Sequence, residues 1–443
     1  MRIPGQRITS SLAAAACAAL GWAAALCAEP AEETAAPPHE LTERQAEAEA
    51  ARDLAFKKPV VYKPLKRAEI VPLIRDDLNE QFAEGELDNL LLAYEKLGLI
   101  KSADGLAERL VHAYARAVVA LYDQKTHTVH LIEDLPVPAA MQKIAEVHEL
   151  VHALQDQHFD LSALPLDDIH NGDRASAALA LVEGDATLAT VEYAAAHARL
   201  SLGDSLRVIG FAAEPGPAVP YLFRRTMSFT YFNGLRLAEA LHKRGGWAAL
   251  NKAFADPPVS TEQVLHFQDT YLDARDEPTP VELPDCAPAL GENWKLVAHD
   301  VLGELFTQVL FRQHLSFVRA GKPSRGWDGD RLHFYRSGQG AGETWALVWA
   351  TVWDTEKDAT EFARAYRKVL VRKYKPDAPG AEQHALGLLV TGDTGAALLH
   401  VKAQHAVSVE ASTAAIAQAL MRHVLAADTN HEEPTTKQER DPR

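Results

Sequence analysis

His148-Glu149-Leu150-Val151-His152 is the stretch on which the reading of this 443-residue chain turns. Histidines four positions apart on a helix project about 40° apart and roughly 6 Å along the axis, so two imidazoles can close on one ion. Glu149, one step round from His148, is then beside that ion without having to ligate it. Two neutral ring nitrogens suit Zn²⁺, and the carboxylate suits accepting a proton from water activated by the metal. Around the motif, Ile144, Val147, Leu150, Val151 and Leu154 recur at helical spacing, which predicts an amphipathic helix over Lys143 to His158. Pro136 and Pro138 stand where they can end a preceding strand and open that helix. Upstream, Val118 to Tyr122 and Thr128 to Ile132 read as two strands joined by a short turn. Such a hairpin beside a metal-binding helix offers an edge on which an extended peptide can pair.

A catalytic zinc site has three protein ligands and one open position. His158, six residues after His152, has the spacing of a third histidine. That arrangement requires a glycine where this chain has Gln155, and a continuing helix turns His158 roughly 240° away. Glu183 is the better candidate. It is an acid flanked by Ala, Leu and Val in the small-residue run Ala177 to Leu188, part of a helix expected from near Arg174 to about Arg199. Burying it without a partner would be costly, and a cation is one such partner. The small neighbours Ala180, Gly184 and Ala186 are expected to let this helix approach the His148 helix closely. The bland alternatives are two hydrogen-bonded buried histidines and a Glu183 that shares a solvated face with Asp185.

At His148, Glu149, His152 and Glu183 the chain resembles the gluzincins, thermolysin-like zinc metallopeptidases whose pattern is HExxH followed by a glutamate on a second helix. The resemblance covers about residues 118 to 196. It implies that His148, His152 and Glu183 bind zinc and that Glu149 is the general base. It also implies a Tyr or His that stabilises the oxyanion. Tyr231, in Phe229 to Gly234 at the start of an expected helix, is one candidate. His266 is the other, one turn inside a helix that Ser260 caps with Gln263 at the capping-box position. Many relatives carry an Asp four residues past the glutamate ligand to orient a histidine. Here Thr187 stands there and Asp185 lies two residues on.

Composition sets the frame. Arg2, Arg7 and the apolar run Leu12 to Leu26 read as a secretory signal over residues 1–28, with a lipid anchor at Cys27 as an alternative. Residues 29–58, rich in Ala, Glu and Pro, read as a solvated linker with a short helical stretch. A net charge of −16 gives no electrostatic basis for binding nucleic acid or anionic lipid. No later apolar run is long enough to span a bilayer. With Cys17 and Cys27 in the leader, Cys286 is alone and no internal disulfide framework can form. Helical patterns cover Glu69 to Phe82, Glu86 to Leu97 and Ala103 to Arg116, and helix resumes after the Pro-rich loop Glu214 to Pro220.

The last third changes character, with strands at Leu332 to Tyr335, Thr344 to Trp353, Leu386 to Val390 and Ala396 to Val401. Helices are expected from Thr355 to about Lys373 and over Thr413 to Leu425. Thr344 to Trp353 is apolar on both faces, so its tryptophans are read as core rather than as a binding stripe. Two acids in Gly326 to Asp330 are a weak cation loop. The expectation is therefore an α+β chain. It has a zincin-like, mostly helical catalytic domain with a small sheet at 59–285, a small α+β domain at 286–430 and a disordered tail at 431–443. The function expected is a secreted or periplasmic zinc metallopeptidase acting on peptide or protein. The rival is a non-catalytic binding protein of the same fold in the envelope, and a further enzymatic alternative is another amide hydrolase acting on cell-wall peptides.

Overall fold

Tyr62, Val129 and Tyr122 are cross-strand neighbours in a three-stranded sheet of β1 (Val61–Leu65), β2 (Ala120–Asp123) and β3 (Thr128–Ile132). The central β3 pairs in parallel with β1 and antiparallel with β2. These side chains share an apolar cluster with Ile144, Val147, Leu150 and Leu154 of the motif helix, so the sheet holds one face of that helix. The computed structural model describes residues 39–134, 138–197, 219–315, 321–338, 343–374 and 381–428. The signal segment with Cys17 and Cys27, Pro136, most of the Pro-rich loop and the tail lie outside the described residues.

Five helices lead to the site: α1 (His39–Arg52), α2 (Arg67–Gln81), α3 (Glu86–Leu97), α4 (Leu106–Ala117) and α5 (Ala139–Phe159), the last carrying the motif. After them come α6 (Gly172–His197), α7 (Tyr221–Ser228), α8 (Gly234–Ala255) and the short α9 (Thr261–Leu265) and α10 (Ala287–Leu290). The amphipathic expectation for α5 is too modest. Every residue from Ile144 to Asp156 is buried. Glu146, His148, Glu149, His152, Gln155 and Asp156 must therefore satisfy their polar atoms inside the protein.

One expectation needs correction at the start of the described chain. The short helical stretch is there, as α1 over residues 39–52, but it is packed on both α5 and α6 rather than solvated. Ala48 and Arg52 are fully buried there. The Ala/Glu composition suits either state, and the apolar surface of the two helices beneath decides for folding.

The second sheet has strand order β4-β5-β6-β10-β9-β8-β7 and is antiparallel throughout. Its strands are β4 (Lys295–Asp300), β5 (Trp327–Ser337), β6 (Thr344–Trp353), β7 (Glu382–His384), β8 (Gly387–Gly392), β9 (Gly395–Lys402) and β10 (His405–Ala411). Helices α11 (Gly303–His314), α12 (Glu356–Tyr374) and α13 (Ala414–Asp428) accompany it. On one face Trp349 meets Phe362 and Tyr366 of α12 edge-on, each 5.3 Å between ring centres. On the other, Ala346 and Val348 pack with Leu420 and Met421 of α13. The tryptophan run is core on both sides.

Asp330, from the suspected cation loop, accepts hydrogen bonds from Leu302 N–H, Gly303 N–H and the Trp327 indole, and so caps the start of α11. Asp328 accepts from the Thr279 hydroxyl. These acids serve protein donors. A single apolar cluster continues from the early helices through α6 and α11 into Trp349 and Leu399, so the helical part and the C-terminal sheet share a core. Cys286 is buried, and burial pushes its thiol up to about 11. Among the described residues, no helix is long and apolar enough to cross a membrane.

Candidate metal centre

Helices α5 and α6 bring His148, His152 and Glu183 to one point. His148 Nε2 lies 3.1 Å from His152 Nε2 and 3.3 Å from Glu183 Oε2, and His152 Nε2 lies 3.7 Å from that same oxygen. All three residues are buried. Zinc bonded at about 2.1 Å to each of three tetrahedral ligands holds the ligand atoms roughly 3.3 Å apart, so the spacing fits.

The remaining ring nitrogens explain what faces inward. His148 Nδ1 sits 3.3 Å from Thr190 Oγ1, whose own proton goes to Ala186 O at 2.7 Å, so this hydroxyl can only accept from the ring. His152 Nδ1 donates to Gln155 Oε1 at 2.8 Å. Each imidazole thus carries its proton on Nδ1 and turns a lone-pair nitrogen towards the other and towards a carboxylate. Burial pushes His148 down to about 3 and His152 to about 4, so both are neutral near pH 7. Three acceptors face one another, and a cation is what that donor set fits.

Glu149 stands in the same pocket. Its Oε2 accepts the Tyr122 N–H of β2 at 2.8 Å. Burial first, and Glu183 second, hold its carboxyl well above the usual range, against the lowering effect of that N–H. Tyr231 is here too, its ring centre 6.3 Å from that of His148 and its hydroxyl hydrogen-bonded with Glu183. Burial, then Glu183 and Glu149, raise the phenol well above its ordinary value. It stands on a π-turn, Phe229–Asn233, inserted between α7 and α8. Such turns re-aim a side chain and are frequent at functional sites.

The other candidates go elsewhere. His266 is not brought to this cluster: its Nε2 meets Glu304 Oε2 at 2.9 Å. The helix before it is tied by Thr261 N–H to Asp173, ten residues or about 15 Å along α6 from Glu183. The expected cap does form, with Ser260 Oγ accepting from Gln263 N–H. His158 donates to Ala55 O at 2.8 Å and takes no part in the cluster, because α5 continues through Gln155 as a regular helix. The small residues of α6 also divide differently from expectation. Ala186 and Ala189 meet Val151 of α5, but Gly184 faces Gly234 of α8.

The sequence reading missed the polar layer behind this cluster. Gln155 Nε2 donates to Val182 O at 2.9 Å and to Asp185 Oδ2 at 2.7 Å. Asp185 also accepts from Arg52 Nε at 2.8 Å, and Arg52 reaches Asn251 Oδ1 at 2.7 Å. One local signal existed for Gln155, three residues past His152 on the same helix face. Arg52 lies in a different part of the chain and left none.

A family model described as a domain of unknown function, DUF8575, matches residues 294–421. That stretch runs from just before β4 into α13 and leaves the His148–Glu183 cluster outside it. No curated protein and no solved structure matches the chain.

Proposed function

We propose that this chain is a zinc-dependent metallopeptidase of gluzincin type, secreted or periplasmic in keeping with its N-terminal signal pattern. The observation that carries the reading is the approach of His148 Nε2, His152 Nε2 and Glu183 Oε2 to within 3.7 Å of one another beside Glu149 and Tyr231. Bound zinc would supply a Lewis acid that acidifies water and polarises a carbonyl. The chain's own groups do the rest. Glu149 Oε2 is held by the Tyr122 N–H, which leaves Oε1 to take a proton from the attacking water and return it to the leaving amine. The Tyr231 hydroxyl, kept protonated by its surroundings, donates to the developing oxyanion. The substrate class is peptide or protein.

Metal analysis of the purified protein, with hydrolysis of a mixed peptide library in the presence and absence of chelator, tests this. The expected result is one zinc per chain and hydrolysis that stops on chelation and returns with zinc. A protein that takes up no zinc, or hydrolysis indifferent to chelator, overturns it. A second reading, a non-catalytic zinc-stabilised binding protein, is favoured by one observation. All four residues of β2 are buried and its Tyr122 N–H is already used, so this edge is not open to a peptide. Zinc uptake without hydrolysis selects that reading.

A further inference from the structure

Arg52 is fully buried on α1, far in sequence from the metal motif. Its Nε donates to Asp185 Oδ2 at 2.8 Å, its guanidinium lies 4.5 Å over the Trp247 ring, and its remaining reach goes to Asn251. The same Asp185 oxygen accepts from the amide of Gln155. Val182 O and Asp185 Oδ2 both require the NH₂ end of that amide, so its oxygen is turned to His152. An amide oxygen can only accept, which places the His152 proton on Nδ1 and the lone pair on Nε2.

We propose that Arg52 is a positioning residue for the metal centre. Through Asp185 and Gln155 it fixes the His152 tautomer that presents Nε2 to a metal. The inference rests on the metal-centre reading and extends it: helix α1 completes the site. Without the guanidinium, Asp185 Oδ2 loses the donor that fixes it in place, and the Gln155 amide loses a fixed acceptor for its NH₂ end. The amide oxygen is then no longer held against Nδ1, and the ring is free to turn or to carry its proton on Nε2, where it blocks ligation. Outer partners of this kind typically change metal affinity by about 10–100-fold.

The test is zinc affinity of the full chain by competition with a chelating dye, which needs no turnover. Arg52→Gln is expected to bind zinc about 10–100-fold more weakly, Arg52→Lys to recover part of that loss, and Gln155→Met to match Arg52→Gln. The double variant should be no weaker than either single one, because both break the same chain of bonds. Arg44→Gln is the control for a merely structural effect. Arg44 is also buried on α1 but bonds Tyr193 and Glu47, outside this chain of bonds, and its loss should leave affinity at the wild-type value. Unchanged affinity in Arg52→Gln overturns the inference, as does an equal loss in Arg44→Gln. Should Arg52→Gln not fold, unchanged affinity in Gln155→Met overturns it. Wild-type protein that binds no zinc overturns the metal reading and this inference with it.

Discussion

Gly184 and Gly234 cross with no side chain between them. A Cβ on Gly184 would lie 2.2 Å from the Gly234 carbonyl oxygen, and one on Gly234 would lie 2.1 Å from the Ala180 carbonyl oxygen. Neither obstacle is a movable side-chain tip; both are backbone. The crossing presses α6 against the end of the π-turn, and this is how Glu183, next to Gly184, meets Tyr231, three residues before Gly234. Gly184→Ala must push the two helices apart. The expected outcome is a loss of about 1–3 kcal/mol of stability in denaturant unfolding. Zinc affinity should fall with it, since Glu183 moves. A variant as stable as wild type would show that the crossing is looser than these contacts imply.

Glu149→Gln separates binding from chemistry. The glutamine oxygen can still accept the Tyr122 N–H, so the pocket should hold its shape. The amide cannot take a proton from water. Zinc content should therefore stay at the wild-type level while peptide hydrolysis falls by about 10²–10⁴-fold, the usual contribution of a general base. Retained hydrolysis would remove Glu149 from its assigned role.

Tyr231 and His266 were equal candidates in the sequence, and the structure parts them. Tyr231→Phe removes a hydroxyl bonded with Glu183 beside the ligands and should lower kcat by about 10²–10³-fold with zinc still bound. His266→Gln keeps a donor for Glu304 and should leave hydrolysis at the wild-type rate. Steady-state kinetics on both variants decides it, and the opposite pattern would exchange their roles.

What the sequence made legible was what is local. The 3.6-residue period and the spacing of His148 and His152 gave α5 and two members of the buried cluster. The apolar setting of Glu183 pointed to the third member, because an acid among alanines and leucines needs a buried partner. Thr344–Trp353 was readable as core because it is apolar on both faces. Strands β1, β4, β7 and β10 and helices α10 and α11 escaped. β4 contains Lys295, His299 and Asp300 in six residues, and its apolar neighbours arrive only with β5. Direction was also illegible. Small residues on α6 announced close packing without saying which helix comes near, and His266 could not reveal that Glu304, 38 residues later, would face it. Arg52 was the furthest out of reach, since its partner Asp185 lies 133 positions away.

The joint between α6 and the C-terminal sheet should make the protein less stable as pH rises from about 4 to about 8. Asp300 accepts hydrogen bonds from Gly172 N–H, Val301 N–H and the Tyr94 hydroxyl, and Asp173 accepts from Thr261. Those donors favour the charged form, yet burial outweighs them, raising Asp300 to about 7 and Asp173 to about 8. In the unfolded chain both carboxyls titrate near 4. Between about pH 4 and 8 the folded protein therefore holds more protons than the unfolded one. Its stability contribution from these groups is full below pH 4 and is lost as pH rises through 7 and 8. The thermal unfolding midpoint, followed from pH 5 to pH 8.5, should carry this downward component. Asp300→Asn keeps an oxygen for the two N–H groups and offers an NH₂ to the Tyr94 oxygen, without a titrating proton. Its midpoint should fall less steeply over the same range, and an unchanged slope would mean that Asp300 enters the folded state already ionised, held by its three donors.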